Sequence, residues 1–335
     1  MYQAVAYNKN SNTVHVWDDH KGHQKIKYKP YAYKKSSYGD KIALDGQRVE
    51  KVYNPEQGID GLYEADINPE MRTLIDMYTD SDEASIGHKT LFIDIEVDIS
   101  TGFPTPEEAQ NPVTSIAIYD QLGDQRCVWI LDPDGVVNNV NKKGYSVTSC
   151  HDEGALLNKF LFKYLEIQPT IITGWNIDFF DIPYLYNRMK QIIGEKSARS
   201  LSPINDVIWL KHRNRYRISG VSCLDYMALY KNFTYSQESS YSLEAISQKE
   251  LGKGKMKYEG SLDDLMRNDI QGYIDYNMND VDLVFEIDEK MKLLDLARSI
   301  CHKGHVPYED FLFPTRYLDG AALTYLKRME IVSPS

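Results

Sequence analysis

The stretch Leu91-Phe92-Ile93-Asp94-Ile95-Glu96-Val97-Asp98 constrains the fold of this chain more than any other. It is an apolar run broken by an acid at every second position from Asp94 onward. In a strand, successive side chains point to opposite faces, so Leu91, Ile93, Ile95 and Val97 share one face. Phe92, Asp94 and Glu96 then lie on the other. Adjacent carboxylates with no cation between them repel and raise one another's pKa. Two arrangements relieve this: an edge strand whose acids face water, or a divalent cation held between them. The stretch alone does not choose between the two.

The chain has 335 residues, enough for two domains and a large core. Its net charge of −11 argues against a general nucleic-acid coat protein, which would be basic, but not against an enzyme with an acidic site. The 25 tyrosines offer apolar area with a hydrogen-bonding tip, of use in cores and in stacking on bases. Cys127, Cys150, Cys223 and Cys301 are scattered without a CxxC pair. That spacing argues against a zinc site or a disulfide framework, and reduced thiols in a cytoplasmic setting are expected. The N-terminus lacks the apolar core of a signal peptide, and no apolar run approaches the ~18 residues needed to cross a membrane. No membrane partner is expected.

Residues 1–88 read as a β-rich unit, with strands at Val14–Trp17 and Lys25–Lys29. Basic and aromatic residues interleave from Lys25 to Lys35, a pattern that suits a solvated sheet face or a nucleic-acid face. Residues 55–88, rich in Gly, Pro and acids, read as a connection. From Thr90 the pattern turns to α/β. The acidic strand, Val113–Tyr119 and Arg126–Leu131 are expected to form an antiparallel meander of three. Helical spacing follows over Asp152–Leu165, then a buried strand at Thr170–Thr173 that ends in Gly174-Trp175-Asn176. Asp181 is expected to cap the next helix, with Pro183 in its first turn. Val207–Ile218 reads as a hairpin with a basic tip, and Ser222–Asp225 as a further strand. The run Ser240-Tyr241-Ser242-Leu243-Glu244 matches a capping box. A long helix is expected from about Asp269 to Ala297. The tail is expected to hold a loop with Pro307 and Pro314 and then a helix near Tyr317–Met329.

This order of elements is that of a ribonuclease-H-like α/β sheet beside a smaller β-rich N-terminal domain. Two-metal nucleases use such sheets, and their sites need about four carboxylates to hold two cations ~3.5–4 Å apart. Asp94 and Glu96 offer the first two. The segment Asn176–Tyr184, where a strand end meets a helix start, offers Asp178 or Asp181, although Asp181 read alone is simply a helix cap. On the long helix, Tyr276 and Asp280 are four apart and share one face. Asp98 and Asp225 read as supporting or structural acids.

The series Asp94-Ile95-Glu96, then Asn176 through Phe180-Asp181, then Tyr276 through Asp280 is similar to the three exonuclease motifs of family B DNA polymerases. Gly174-Trp175-Asn176, Asp181 through Arg188, Leu201-Ser202-Pro203 and Ser240-Tyr241-Ser242-Leu243 resemble the T-even-type phage members in particular. The resemblance runs over nearly the whole chain from about 90 to 330 and implies the 3′→5′ proofreading exonuclease region. It implies two Mg²⁺ or Mn²⁺ ions, with Asp94 bridging both, Glu96 and Asp280 on the ion that activates water, and Asp181 on the other. Tyr276 would bond the attacking water or the scissile phosphate. Asn176, Phe103 and the hairpin cations Lys211, Arg213, Arg215 and Arg217 would contact DNA, Phe103 by stacking on an unpaired base.

The implied partners are a single-stranded 3′ end, primer–template DNA, the polymerase palm, fingers and thumb in the same or a separate chain, and a sliding clamp. The palm and fingers motifs of the family do not occur in these residues. The implied domains are 1–88 with 298–335 returning to it, and 89–297 as the exonuclease domain, acting in the cytoplasm of a host cell. Two rivals stand beside this expectation: a non-catalytic DNA-binding or replisome-docking module, and a standalone RNA-processing nuclease.

Overall fold

A computed structural model describes residues 1–56, 60–81, 83–137, 141–142 and 144–334. The chain divides into two units, Met1–Gly87 with Asp295–Ser335, and His88–Leu294.

In the first unit, β1 (Tyr2–Asn8), β2 (Thr13–Asp18) and β3 (Gly22–Lys27) form an antiparallel sheet in that order. Then come β4 (Tyr31–Lys35), β5 (Lys41–Ala43), β6 (Arg48–Tyr53) and β7 (Leu62–Tyr63). The segment expected to be a plain connection contains a helix, α1 (Pro69–Tyr78). The Asn68 side chain caps it by accepting from Met71 N–H, and Pro69 opens it, as its fixed φ favours. Its buried Met71, Leu74, Ile75 and Tyr78 have helical spacing, which the surrounding acids and glycines obscure in the sequence.

The second unit is built on a mixed sheet. β8 (Thr90–Val97), β9 (Val113–Asp120) and β10 (Gln125–Leu131) are antiparallel neighbours, the meander that was expected. An unanticipated pair follows, β11 (Asn141–Lys142) and β12 (Tyr145–Cys150), with β12 parallel to β10. The chain continues through α2 (Glu153–Ile167), β13 (Ile171–Gly174), α3 (Asp181–Ile192) and α4 (Glu195–Arg199). The hairpin β14 (Val207–Leu210) and β15 (Arg215–Ile218) stands as a separate two-stranded sheet. Next are β16 (Ser222–Asp225), α5 (Tyr226–Phe233), α6 (Leu243–Leu251), α7 (Leu262–Asn268) and α8 (Ile270–Met291). The sheet order is β11-β12-β10-β9-β8-β13-β16, with β13 parallel to both β8 and β16.

The two faces of β8 divide as the alternation requires. Leu91, Ile93, Ile95 and Val97 enter a core with Ile116, Ile118, Leu156, Phe160, Ile172 and Leu185. On the other face lies α8, whose Phe285 ring meets Phe92 edge-on at 5.6 Å and Tyr119 at 4.7 Å. Those contacts press α8 against β8 and β9, so its inward residues reach Asp94 and Glu96.

Three local expectations are corrected. The long helix stops at Met291, where Lys292 takes a left-handed φ of 55°, and α9 (Leu293–Gly304) starts anew. At this break the Asp288 carboxylate accepts Leu294 N–H at 3.2 Å. At α6 the cap is Ser242, so Ala245 stands at N3 and Glu244 at N2, out of register for a capping box; the Glu244 carboxylate instead accepts Lys255 N–H at 2.5 Å. In the tail, Pro314 belongs to the helix it was expected to precede. A 3-10 turn (Tyr308–Leu312) leads into α10 (Pro314–Arg328), and β17 (Ile331–Val332) pairs with β5. No helix among the described residues is long and apolar enough to cross a membrane.

Candidate metal centre

Asp94 and Glu96 point from β8 toward Asp280, which α8 delivers from the opposite side. One oxygen from each of the three lies within 4.8 Å of the other two. Asp280 is buried, and its Oδ1 has no hydrogen-bond partner among the described residues. Its Oδ2 receives the Lys255 ammonium at 2.5 Å. The donors are all carboxylate oxygens, the set that suits hard divalent cations. A buried carboxylate oxygen without a donor is costly unless something positive meets it, so the residues fit a divalent cation.

Asp181 stands just outside this trio, and the end of β13 explains why. Pairing of β13 with β8 reaches only Thr173 and Phe92. A Cβ on Gly174 would lie 2.3 Å from the Ile93 carbonyl oxygen, so only glycine fits there. The chain then turns away through Asn176, at a left-handed φ of 66°. Ile95 N–H is left on an open edge, and Asp181 Oδ1 accepts it at 3.1 Å. Asp181 is therefore the first residue of α3 rather than its cap, and its carboxylate replaces a missing strand partner. Asp178 is drawn elsewhere, into a buried ion pair with Arg215 at 2.6 Å. Asp225 caps α5 and accepts Asp178 N–H at 3.1 Å, a structural role.

The electrostatics follow from this crowding. Burial first, then the charges of Asp280, Asp181 and Glu96, push the Asp94 carboxyl well above its ordinary range. Glu96 is pushed up to about 8 by burial and by Asp280. Burial raises Asp181 to about 7 despite the bond from Ile95. Asp280 rises to about 6 through burial, with Lys255 opposing. Burial works against the Lys255 charge, but Asp280 and Asp94 outweigh it and hold the ammonium above its usual range. Lys255 also donates to Tyr276 Oη at 2.9 Å, so the phenol, the ammonium and Asp280 form one chain.

The other predicted residues divide. Phe103 is 75% exposed and leans on Phe180 at 5.2 Å, the residue before Asp181. Asn176 forms the turn above, and its carbonyl accepts Phe179 and Phe180 N–H. In the hairpin, Lys211 is exposed while Arg213 and Arg217 are half-buried. Arg215 corrects the expectation of DNA contact: it is 5% exposed and bonded to Asp178. Two buried acids at the β13 and β16 ends need a cation more than a hairpin tip does.

Three residues that complete the centre carry no signal strong enough to single them out in the sequence. Lys255 follows Gly252-Lys253-Gly254, a run with the look of a solvated loop. Gly252 takes a φ of 73°, and a Cβ on Gly254 would lie 2.2 Å from Glu244 Oε2. The loop is thus fastened to α6 and aims Lys255 inward. Asn277 donates to Asp94 Oδ2 at 2.6 Å, and Ser115 donates to Asn277 Oδ1 at 2.7 Å. Asn277 neighbours Tyr276 and precedes Asp280 by three, so helical spacing places it on the right face.

A family profile described as "DNA polymerase family B, exonuclease domain" matches residues 64–246. A DNA-directed DNA polymerase of Escherichia phage RB69 is 34% identical over 268 residues, covering 72% of this chain and 30% of the relative. That of Enterobacteria phage T4 is 33% identical over 270 residues, with the same coverage. DNA polymerase 1 of Aeropyrum pernix is 31% identical over 204 residues, 58% of this chain and 20% of the relative. The chain spans about 30% of the length of the two phage relatives.

Proposed function

The chain belongs to the family B DNA polymerases through their exonuclease domain, and on that premise we propose that it hydrolyses the 3′-terminal phosphodiester of single-stranded DNA as a proofreading exonuclease. The observation that carries this is the Asp94, Glu96 and Asp280 trio, with a buried Asp280 oxygen that has no hydrogen-bond partner among the described residues. A ribonuclease-H-like reading of the second unit is supported by three antiparallel strands followed by the parallel β13 and β16. We also read residues 1–88 with 298–335 as one domain and 89–297 as the nuclease.

Asp94, Glu96 and Asp280 would hold one divalent cation, Mg²⁺ or Mn²⁺, and Asp181 with Asp94 a second. Such ions lower the pKa of bound water and offset charge on the attacking and leaving oxygens. The protein's own part is positional and electrostatic. Burial keeps Tyr276 a phenol, a neutral donor beside Asp280. The Lys255 ammonium supplies a fixed positive charge where negative charge builds on phosphate. The exposed Phe103 ring offers a stacking surface for the terminal base. Substrate delivery from a polymerase active site would need palm, fingers and thumb domains, and retention on DNA a sliding clamp.

The test is release of mononucleotides from 3′-labelled single-stranded DNA with Mg²⁺ or Mn²⁺, alongside the matching RNA. Release from DNA that is lost in Asp94→Ala is expected. Tight DNA binding without release would favour the non-catalytic module, and preferential release from RNA the processing nuclease.

A further inference from the structure

We propose that Asn277, oriented by Ser115, is the positioning residue of this centre: it ties one oxygen of Asp94 and thereby sets the affinity for the divalent cation. The inference rests on the metal-site reading above and assigns a role to two residues that supply no ligand.

The geometry leaves the amide one useful orientation. Asn277 Nδ2 lies 2.6 Å from Asp94 Oδ2, and Ser115 Oγ lies 2.7 Å from Asn277 Oδ1. Asn277 and Ser115 are both fully buried at 0% exposure, so neither can turn to water for a partner. Were the amide reversed, Oδ1 would face the Asp94 carboxylate, acceptor against acceptor. The Ser115 hydroxyl donates to Oδ1 and so holds that end away from Asp94.

The β8–β9 register builds the niche for this chain of bonds. Ala117 stands opposite Asp94, and Ser115 opposite Glu96. The methyl group of Ala117 leaves space above Asp94 that Asn277 fills from α8. Ser115 reaches the same amide from the neighbouring position on that face. An Asp at 277 would match the shape but set a fourth anion against Asp94. A Leu would match the volume but leave Asp94 Oδ2 and Ser115 without partners. With one lone pair of Oδ2 engaged, Asp94 keeps its remaining lone pairs for cations and loses the rotational freedom that binding would otherwise cost. Partners of this kind change metal affinity by roughly 10–100-fold when removed.

The test measures Mn²⁺ binding to the full chain without DNA, by the electron paramagnetic resonance signal of free Mn²⁺, for Asn277→Ala, Ser115→Ala and the double variant. Thermal midpoints are recorded in parallel. Asn277→Ala is expected to weaken Mn²⁺ binding roughly tenfold or more. Ser115→Ala should give a smaller loss, and no further loss in the Asn277→Ala background, because it acts through the amide. A purely structural role would lower the midpoint and leave Mn²⁺ affinity unmoved, which overturns the proposal. Additive losses in the double variant overturn the route through Ser115. Should Asn277→Ala fail to fold, unchanged affinity in Ser115→Ala overturns it instead. Wild-type protein that binds Mn²⁺ but leaves DNA intact removes the exonuclease reading and leaves this inference standing.

Discussion

Two of the sets of neighbouring acids in this chain have opposite surroundings. At the end of β2, Asp18 and Asp19 are both nearly buried and both satisfied. Asp18 accepts Tyr78 Oη at 2.6 Å and the N–H groups of His20 and Lys21 at 3.0 and 2.8 Å. Asp19 accepts Ile86 N–H at 3.0 Å and the Met1 ammonium at 2.5 Å. Burial acts to raise Asp18, but these donors win and hold it at about 2. On β8 the fixed donors are too few for the acids, and burial wins, with Glu96 at about 8. The first set is finished by the protein. The second is short of positive charge, an arrangement that a divalent cation would complete.

The largest effect should separate the two sets by activity. Asp280→Asn removes a proposed ligand and is expected to slow mononucleotide release by at least about 10²–10³-fold, the scale of losing one transition-state contact. Asp18→Asn should leave the rate per folded molecule unchanged and lower stability by about 1–3 kcal/mol, since it weakens a set of charge-assisted bonds. Gel-resolved cleavage and urea unfolding measure the two. Equal losses of activity would break the comparison.

A third arrangement, Asp178 with Arg215, tests the rule for a buried acid with one cation; burial still holds the Asp178 carboxyl above its ordinary range against the opposing Arg215. Arg215→Ala leaves a buried carboxylate without its cation and is expected to cost about 3–5 kcal/mol. Asp178→Asn combined with Arg215→Met removes both charges and should cost less. Chemical unfolding of the three proteins decides it. A single variant no worse than the double would show that Asp178 does not depend on Arg215.

The pH dependence should differ in sign between the sets. Groups raised in the fold bind protons more tightly folded than unfolded, so their stability is present at low pH and lost as pH rises through the folded value. For Asp280, Asp181 and Glu96 that window opens above the ordinary carboxylate range near 4 and runs through about 6, 7 and 8 respectively. Asp18 behaves oppositely: its contribution is present above the ordinary value and lost as pH falls toward about 2. Without divalent cations, the second unit should therefore lose stability on the order of 1 kcal/mol or more from pH 5 to pH 8, and the thermal midpoint should fall with it. Mn²⁺ should reverse the fall, and Glu96→Gln should flatten it. Calorimetric scans at three pH values with a chelator and with Mn²⁺ would show a midpoint rising with pH if the acids were in truth compensated.

Much of this was legible in the sequence because alternation is a local property. The period-two pattern over Leu91–Asp98 assigned both faces of β8 correctly, and the spacing of Tyr276 and Asp280 found the inward face of α8. What failed depended on contacts distant in the chain. Arg215 looks like a hairpin cation until Asp178, 37 residues earlier, is seen to face it. Asp181 looks like a cap until Ile95 N–H is found without a strand partner. Lys255 sits in a glycine-flanked loop whose fixed shape comes from Glu244. The short β11–β12 pair was missed because its apolar content is slight, and Asn277 because an Asn on a helix is ordinary until Ser115 and Asp94 converge on it.

The smallest effect concerns an exposed hairpin cation, Lys211. Lys211 is exposed at the β14 end, whereas Arg215 is spent on Asp178. If exposure rather than mere presence in a basic run decides which hairpin cations meet a phosphate, the two substitutions must separate. Lys211→Ala should shift stability by less than about 0.5 kcal/mol, as expected of a surface change. It should also weaken single-stranded DNA binding modestly and reduce the slope of log affinity against log salt by about 0.7, one phosphate contact. Arg215→Met, which removes the charge, should lower stability and leave that slope unchanged. Fluorescence anisotropy across a salt series measures both. An unchanged slope for Lys211→Ala would remove Lys211 from the DNA surface. A reduced slope for Arg215→Met would mean that the Asp178 pair opens when DNA binds.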